Sequence, residues 1–311
     1  MRAVRIADHA VTVRQVPDPV AVPGKTVRVR VRSAGICGSD LGFLAQGALS
    51  VTPGHEVAGL TDEGRPVAVR PDHPCAVCGM CQAGRSNLCP RAMTRFTGMA
   101  ELDGGFADEV LAAPKNLHPL PDGLPLESGA LGEPAAVATH ALSRMGAPPG
   151  AEVAVIGAGA IGLTAAAMLA KTHRVRLVAR HEHQFRAAEA IGVRTATAAG
   201  DADAVLDAAG SQSSLAAALD AVRPGGTVVS LGSASWAPKL STAAVFKEVN
   251  LRLALIYTPE EFQAGLEFVA RRADLQHALV THRFALADAA GAFALAADRG
   301  PTGAIKVLIH P

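Results

Sequence analysis

Residues 152–162 read EVAVIGAGAIG, a short apolar run followed at once by a glycine-rich turn. The pattern GxGxxG lies between a predicted strand, Glu152–Ile156, and a predicted helix, Ile161–Lys171. In that setting the glycines allow a tight turn and a close approach of a dinucleotide pyrophosphate to a helix N-terminus. A tight turn without a ligand is the alternative, but the flanking strand and helix favour a dinucleotide site. The candidate cofactor contacts are Gly157, Gly159, Ala160, Ile161 and Gly162.

The chain from Pro149 onward alternates apolar runs with alanine-rich stretches, which predicts a parallel, doubly wound sheet. The uncharged run 153–170 reaches the length of a membrane span, but its alanines and glycines favour a buried strand, turn and helix. Gly232, just after one predicted strand, is a further candidate cofactor contact. The predicted strands are Glu152–Ile156, Val175–Ala179, Val193–Ala196, Ala204–Ala208, Thr227–Leu231 and Leu251–Tyr257, with helices such as Ile161–Lys171 and Gln184–Ile191 between them.

Residues 1–150 hold 15 of the 20 prolines and read as short β runs between turns. The alternation VRVRVR within them is typical of a half-buried antiparallel strand. The whole chain is therefore predicted as a β-rich part plus an α/β part. Runs in the first part are Met1–Ile6, Val11–Val16, Thr26–Ser33 and Val67–Arg70; the end of the chain is predicted as a helix near 260–273, a strand near 279–284, a helix near 286–297 and a strand at 305–310.

The end of the second strand of the α/β part bears on the choice of cofactor. An acidic residue is expected about 20 residues after the glycine turn, where it would bind the ribose 2′-hydroxyl of NAD. Ala179 stands at that place, and a small residue followed by basic ones favours a 2′-phosphate, hence NADP over NAD. Glu182 as the ribose acid is the competing interpretation. The candidate contacts here are Arg180, His181 and Gln184.

Four of the five cysteines fall within 15 residues, in the spacing C-x2-C-x2-C-x7-C. Four thiolates from one loop are what a closed, tetrahedral structural zinc site requires. The Cys-Pro at the end resembles the iron–sulfur pattern of ferredoxins, but seven residues instead of three precede the last cysteine, which favours zinc. The ligands of this structural zinc are predicted to be Cys75, Cys78, Cys81 and Cys89.

A second set of metal-binding residue types is spread along the chain. Cys37 begins the stretch CGSD, His55 and Glu56 stand in PGHE, and Glu133 lies just before the α/β part. One sulfur, one nitrogen and one or two carboxylates form the mixed set that is typical of an open catalytic zinc site. Each residue alone is explained equally well as an ordinary buried or turn residue. The case for a metal site comes from their occurrence together with the other motifs.

Composition excludes several classes of protein. A net charge of +1 lacks the excess of basic residues expected of a nucleic-acid binder, and 49% apolar residues exclude a disordered chain. The start has no continuous apolar segment that would indicate a signal peptide. Clustered cysteines of odd number indicate metal binding in a reducing compartment, so a cytoplasmic protein without nucleic-acid or membrane partners is expected.

The motifs taken together resemble the zinc-dependent medium-chain dehydrogenase/reductase family, nearest to the sorbitol and threonine dehydrogenases. They cover nearly the whole chain in the family's order. The resemblance implies a GroES-like catalytic domain (1–121, with the zinc lobe at 75–89), a Rossmann domain (122–257) and a C-terminal return (258–311). The motifs are CGSD (37–40), GHEVAG (54–59), PCAVCGMCQAGRSNLC (74–89), DGGFADEV (103–110), LGEPAAVATHAL (131–142), VIGAGAIGL (155–163), THRFALADAAGAF (281–293) and GAIKVLI (303–309).

The resemblance also implies a catalytic zinc on Cys37, His55 and a glutamate, with Glu56 and Glu133 able to exchange on the metal. Two zinc ions per chain follow from it. Ser39 is expected to take the alcohol proton, and Asp40 to orient His55. The family's relay histidine is replaced by Gly42, and the stretch between Glu56 and the zinc lobe is short, so the substrate cleft is expected to differ from that of the relatives.

The expected function is hydride transfer between a primary or secondary alcohol, or its carbonyl, and NAD(P). A dedicated biosynthetic NADPH-dependent carbonyl reductase and a zinc-stabilised nucleotide-binding protein that has lost catalysis are the alternatives. The partner is a small-molecule alcohol or ketone. Relatives imply a homodimer or homotetramer.

Overall fold

The computed structural model describes residues 1–231 and 240–311, and the chain divides into two compact units. The first comprises Met1–Glu133, Thr258–Gln276 and Val280–Pro311, and the second comprises Pro134–Tyr257 and His277–Leu279. The sequence suggested a boundary at residue 121, whereas residues 122–133 belong to the first unit. Their 3-10 turn, Leu126–Leu131, packs on strands of that unit, and Ser33 Oγ donates a hydrogen bond of 2.8 Å to the Glu127 carbonyl.

Residues 1–143 form short strands and helices joined by turns, including 3-10 turns at Ser86–Leu88 and Pro114–Asn116. The strands are β1 (Arg2–Ala7), β2 (Ala10–Gln15), β3 (Val27–Gly35), β4 (Ala48–Leu49), β5 (Glu56–Thr61), β6 (Pro66–Val69), β7 (Glu109–Ala112) and β8 (Leu117–Pro119). The helices are α1 (Gly38–Gln46), α2 (Gly79–Gln82), α3 (Pro90–Thr94) and α4 (Gly132–Ser143).

The described residues after 143 alternate strands with helices up to residue 253 and end in a mixed segment with a 3-10 turn at Leu286–Asp288. The strands are β9 (Glu152–Ile156), β10 (Arg174–Val178), β11 (Thr195–Ala196), β12 (Ala202–Asp207), β13 (Val222–Ser230), β14 (Asn250–Leu253), β15 (Val280–Ala285) and β16 (Lys306–His310). The helices are α5 (Ala160–Leu169), α6 (Glu182–Ala190), α7 (Gln212–Ala221), α8 (Thr242–Phe246), α9 (Pro259–Ala270), α10 (Ala273–Leu279), α11 (Ala289–Ala297) and α12 (Arg299–Thr302).

The described strands of the second unit form one parallel sheet in the order β11-β10-β9-β12-β13-β14. With strands numbered from β9, this is the 3-2-1-4-5-6 order of a doubly wound dinucleotide-binding sheet, so the prediction of a Rossmann fold is confirmed. The strand order reverses beside β9. Its carboxyl end therefore opens at the point where such sheets bind ligands, and the glycine turn begins there.

The first unit is built on a sheet ordered β15-β16-β3-β5-β6-β8, with β7 also paired to β3, and a smaller sheet β2-β1-β4. In β3, Val29 and Val31 are buried in the core whereas Arg30 and Arg32 face solvent, as the alternation VRVRVR predicts. A T-shaped contact of Phe106 with Phe293 closes this core, with ring centres 5.6 Å apart. The β-rich, GroES-like architecture is thus confirmed.

Several elements differ from their predicted bounds. The strand predicted at Leu251–Tyr257 ends at Leu253, and Ile256 adopts a positive φ of 45°, which a continuing strand cannot contain. The helix predicted at 286–297 starts with a 3-10 turn. Helix α1 and strand β4 occupy the segment 38–49, which carried no predicted helix or strand. Among the described residues, the helices are all too short or too polar to cross a bilayer.

Candidate active site

The first site residues lie where β3 passes into α1. Cys37 is the residue just before α1, in an extended conformation, and its N–H donates a hydrogen bond of 2.9 Å to Asp40 Oδ2. A side chain that accepts from the backbone at a helix start stabilises that start, so Asp40 fixes the first turn. Asp40 is fully buried, and Ser39 lies between the two residues.

The segment that carries His55 is held by closely packed glycines. Gly54 has a φ of +100°, and a Cβ there would stand 2.9 Å from the Phe106 nitrogen. A Cβ on Gly98 or Gly104 would come within 2.6 Å or 2.3 Å of the Gly54 carbonyl oxygen. Side chains at these three positions are therefore excluded, and the backbone before β5 is fixed in place.

Cys37, His55 and Glu56 come together in the first unit. One donor atom from each lies within 4.8 Å of the others. His55 is only 3% exposed and Glu56 only 1%, so these two donors are withdrawn from water, whereas Cys37 is partly exposed. His55 Nδ1 is 3.9 Å from Asp40 Oδ1, and each of these buried atoms lacks a hydrogen-bond partner among the described residues, as does Ser39 Oγ. A sulfur, a nitrogen and an oxygen donor beside unsatisfied polar atoms fit a zinc ion.

The charges around His55 favour a cation at this place. Burial alone would lower the pKa of His55, but the charge and hydrogen bond of the Cys37 sulfur, followed by Asp40 and Glu133, raise it to about 10. Burial raises the pKa of Asp40, against the opposing charge of His55 and the Cys37 N–H. Without a metal the site therefore retains a proton on His55, and a zinc ion competes with that proton.

Glu56 has a partner that the sequence did not indicate. Lys306 Nζ donates to both Glu56 carboxylate oxygens at 2.5 Å and to the Ile36 carbonyl at 3.1 Å. Both side chains are buried, and a Cβ on Gly35 would lie 2.0 Å from Glu56 Oε2. The available signal was a single lysine inside the apolar run of β16, because a buried lysine requires a carboxylate partner.

Glu133, the other candidate glutamate, is buried at the start of α4. It is close enough to raise the pKa of His55, but it is not in the set of three donors within 4.8 Å. Phe96 contacts the His55 ring edge to face, with ring centres 5.8 Å apart. Phe43 and Leu44 pack against the hydrophobic core of the first unit.

The four clustered cysteines converge as predicted from their spacing. Their sulfurs all lie within 4.8 Å of one another, and none forms a disulfide. The sulfurs of Cys78 and Cys81 are 3.6 Å apart, near the separation of about 3.8 Å that tetrahedral zinc with Zn–S bonds of 2.3 Å requires. Backbone N–H groups of Val77 and Cys78 lower the pKa of Cys75 to about 6, whereas burial and the Cys78 sulfur raise the pKa of Cys81 to about 12, so the four thiols do not all ionise without a bound cation.

The three glycines of the dinucleotide turn have distinct structural reasons. Gly157 has a φ of +105°, and a Cβ there would lie 2.9 Å from the Ala209 nitrogen. A Cβ on Gly162 would meet the Gly157 carbonyl oxygen at 1.8 Å. Gly159 precedes α5 and has open space where its Cβ would be. Ala160 and Ile161 form the first turn of that helix, whose N-terminus is therefore accessible to a phosphate.

The predicted 2′-phosphate contacts lie at the end of β10, and Gly232 lies outside the described residues. Gln184 Oε1 accepts hydrogen bonds from the Arg180 and His181 N–H groups at 2.9 and 3.3 Å, so it stabilises the start of α6. The rings of His181 and His183 are stacked with centres 5.5 Å apart. The Arg180 side chain is exposed and has no ion pair or hydrogen bond with any part of the chain that is described.

Comparison with known proteins identifies the family. The chain matches the model of the alcohol dehydrogenase GroES-like domain over residues 23–122 and that of the zinc-binding dehydrogenase over residues 153–271. Sorbitol dehydrogenase of Arabidopsis thaliana is 30% identical over 91% of this chain and 88% of its own length. The chain belongs to the zinc-dependent medium-chain alcohol dehydrogenase family. L-galactonate-5-dehydrogenase of Escherichia coli is 30% identical to this dehydrogenase over 86% of the present chain and 87% of its own length.

Solved structures support the same assignment. A protein from Sinorhizobium meliloti, described as a zinc-binding dehydrogenase bound to NADP, is 28% identical to this chain. The superposition has a TM-score of 0.87 and covers 100% of this chain and 99% of the Sinorhizobium protein. Galactitol-1-phosphate dehydrogenase from Escherichia coli is 26% identical, with a TM-score of 0.86 over the whole of both chains. The dehydrogenase is thus an oxidoreductase that acts on the CH–OH group of a small molecule with zinc and a nicotinamide cofactor.

Proposed function

We propose that the dehydrogenase transfers hydride between a secondary alcohol of a polyol or sugar acid, or its ketone, and NADP, at a zinc held by Cys37, His55 and a glutamate. The observation that carries this proposal is the convergence of the three donors within 4.8 Å beside the unpartnered atoms of Asp40, His55 and Ser39. The substrate class is supported by the relatives, whose names refer to sorbitol and L-galactonate.

Zinc bound there lowers the pKa of an alcohol and polarises a carbonyl. Ser39, in the first turn of α1, would accept the alcohol proton at its unpartnered Oγ while its own hydroxyl proton passes on to water. Asp40, whose Oδ1 lies 3.9 Å from His55 Nδ1, would orient the His55 ring. Glu56 is held by Lys306, and Glu133, buried at the start of α4, would be the second glutamate able to serve as the third ligand.

A second zinc, on Cys75, Cys78, Cys81 and Cys89, closes the lobe at 75–89 and brings the content to two ions per chain. Metal analysis of the purified protein and assays at 340 nm with polyols, sugar acids and their ketones test the proposal. Cys37→Ser should leave one zinc and no turnover. A native enzyme with one zinc or none, or inactivity with every substrate and both cofactors, would contradict it.

Preference for NADP rests on Arg180, which follows buried Ala179 where NAD-binding relatives of this fold carry an acid. Arg180→Ser should lower kcat/KM for NADPH by roughly tenfold or more, because a charge-assisted contact with the phosphate is lost. The kcat/KM for NADH should be unchanged. Arg186→Ser, an exposed arginine on α6, is the matched control. Equal losses with both cofactors, or a native preference for NADH, would refute the assignment and favour Glu182 as the ribose ligand.

Assembly into a homodimer or homotetramer is part of the same proposal. It is supported by exposed apolar side chains around β14, the outermost strand of its sheet. A cytoplasmic location is supported by five cysteines that are all free, because four adjacent thiols persist in a reducing compartment.

A further inference from the structure

A second group of charged side chains lies at the amino-terminal ends of β9 and β10. It lines a pocket of about 450 Å³ within the second unit. Glu152, which lines the pocket, is the first residue of β9, whereas the glycine turn follows its last residue. The pocket and the dinucleotide turn are therefore at opposite ends of one strand. The charged groups of its lining are His173, Arg174, Arg176, Arg194 and Glu152.

Two acidic side chains at this end of the sheet, those of Glu152 and Asp203, are already paired. Glu152 accepts a hydrogen bond from Arg174 Nε. The neighbouring Asp203 carboxylate accepts hydrogen bonds from the Arg223 guanidinium at 2.6 Å and from the Glu152 backbone N–H at 2.8 Å. Glu152 therefore neutralises one arginine of the pocket, and Asp203 neutralises an arginine outside the lining.

Two guanidinium groups of the lining form no ion pair with the described residues. Arg176 donates to the Asp201 carbonyl, and its Nε is buried without a hydrogen-bond partner. The Arg194 side chain is exposed and forms no ion pair or hydrogen bond with the described residues. His173 uses both ring nitrogens, on Thr172 Oγ1 and the Ala147 carbonyl. The pocket thus has two positive charges in excess.

Helix ends account for only part of this arrangement. Helices α5 and α6 end beside the pocket, and arginines near helix C-termini are favoured by the helix dipole. That effect explains neither the unsatisfied Arg176 Nε nor a pocket whose volume lies within the range of small-molecule sites. Arginine guanidinium groups match phosphate oxygens in geometry and charge.

We propose that this pocket binds a small organic phosphate with at least two negative charges, through Arg176 and Arg194. The site is separate from the cofactor turn, so both ligands can be held at once. Titration calorimetry with inorganic pyrophosphate as the probe tests this proposal. The titrations are run in saturating NADPH and, in a parallel series, in saturating NADH. The bound cofactor then fills the glycine turn, so the turn cannot bind the pyrophosphate.

Native protein should bind one pyrophosphate per chain. Arg194→Ala should weaken binding at least tenfold, and it should fold normally because Arg194 is exposed and unpaired. Arg271→Ala, which removes an exposed arginine at the end of α9, should change the affinity less than twofold. No binding by the native protein, or equal binding by the two variants, would overturn the proposal. Neither variant touches the metal donors, so the outcome does not depend on turnover.

Discussion

Lys306 is buried between Glu56 and the Ile36 carbonyl, and its ammonium group is the cation nearest to that carboxylate in the described first unit. Lys306→Met leaves the Glu56 carboxylate buried without its partner. Breaking a buried pair in this way costs about 3–5 kcal/mol of stability. We expect a lower thermal unfolding midpoint and at least tenfold lower kcat, measured on zinc-loaded protein.

Two further variants separate charge from packing. Lys306→Arg keeps the positive charge and should recover most of the stability and activity, whereas Lys171→Met, at an exposed lysine, should change neither. If Lys306→Met matches the native protein in both measurements, the pairing has no role in positioning Glu56.

The titration of His55 gives a second prediction for single residues. Its pKa in the folded, metal-free protein is about 10, above the ordinary value of 6.5, so protonated His55 stabilises that protein. This contribution is complete below about pH 6.5 and is lost as the pH rises through 10. Zinc must displace this proton, so the His55 proton alone should raise zinc affinity about tenfold per pH unit between pH 7 and 9.

Competition with a fluorescent chelator at pH 7, 8 and 9 measures this slope on metal-free protein. His55→Gln, which has no titrating ring, should lower the slope by one proton while the cysteine lobe contributes equally to both proteins. Equal slopes in the native protein and the variant would show that His55 is already neutral before zinc binds.

At the scale of elements, the turn from β9 into α5 distinguishes a glycine needed for binding from one needed for folding. Gly159 has a negative φ and open space at its Cβ position, so Gly159→Ala should fold with a stability change below about 1 kcal/mol. Its methyl group would occupy the approach of the pyrophosphate, and we expect at least tenfold weaker cofactor binding by fluorescence titration.

Gly162→Ala is the matched contrast in the same turn. Its Cβ would meet the Gly157 carbonyl oxygen at 1.8 Å, so α5 would have to move from the sheet and the unfolding midpoint should fall. Normal stability of Gly162→Ala, or normal cofactor affinity of Gly159→Ala, would contradict the geometry of this turn.

Prediction from sequence succeeded where the signal was local. Strand β9 has its predicted bounds because a continuous apolar run ends at a glycine turn. Helix α4 was missed because GEPAAVATHALS is buried along most of its length and lacks a polar face that would show a helical period. Lys306 was missed because its partner, Glu56, is 250 positions away, and such pairs form only in the folded chain.

At the scale of the whole molecule, net charge and exposed apolar surface bear on assembly. The net charge of +1 gives little electrostatic repulsion between copies. Nine large apolar side chains are exposed among the described residues, and five of them lie between residues 240 and 255, on and beside α8 and β14. A patch this concentrated, next to the outermost described strand of the sheet, is where we expect the proposed assembly to form its contact.

The last prediction concerns this patch. Phe246 is 83% and Leu253 68% exposed, and replacing both with glutamate places charges where a copy of the chain would pack. Phe246→Glu/Leu253→Glu should convert the oligomer to a monomer in light scattering after size-exclusion chromatography, because unpaired charges in an apolar interface are strongly unfavourable. Val20→Glu is the control, because Val20 is 81% exposed but distant in sequence from the patch. It should leave the measured mass unchanged. An unaltered mass in the double variant would assign the interface to another surface, and a monomeric native protein would refute assembly.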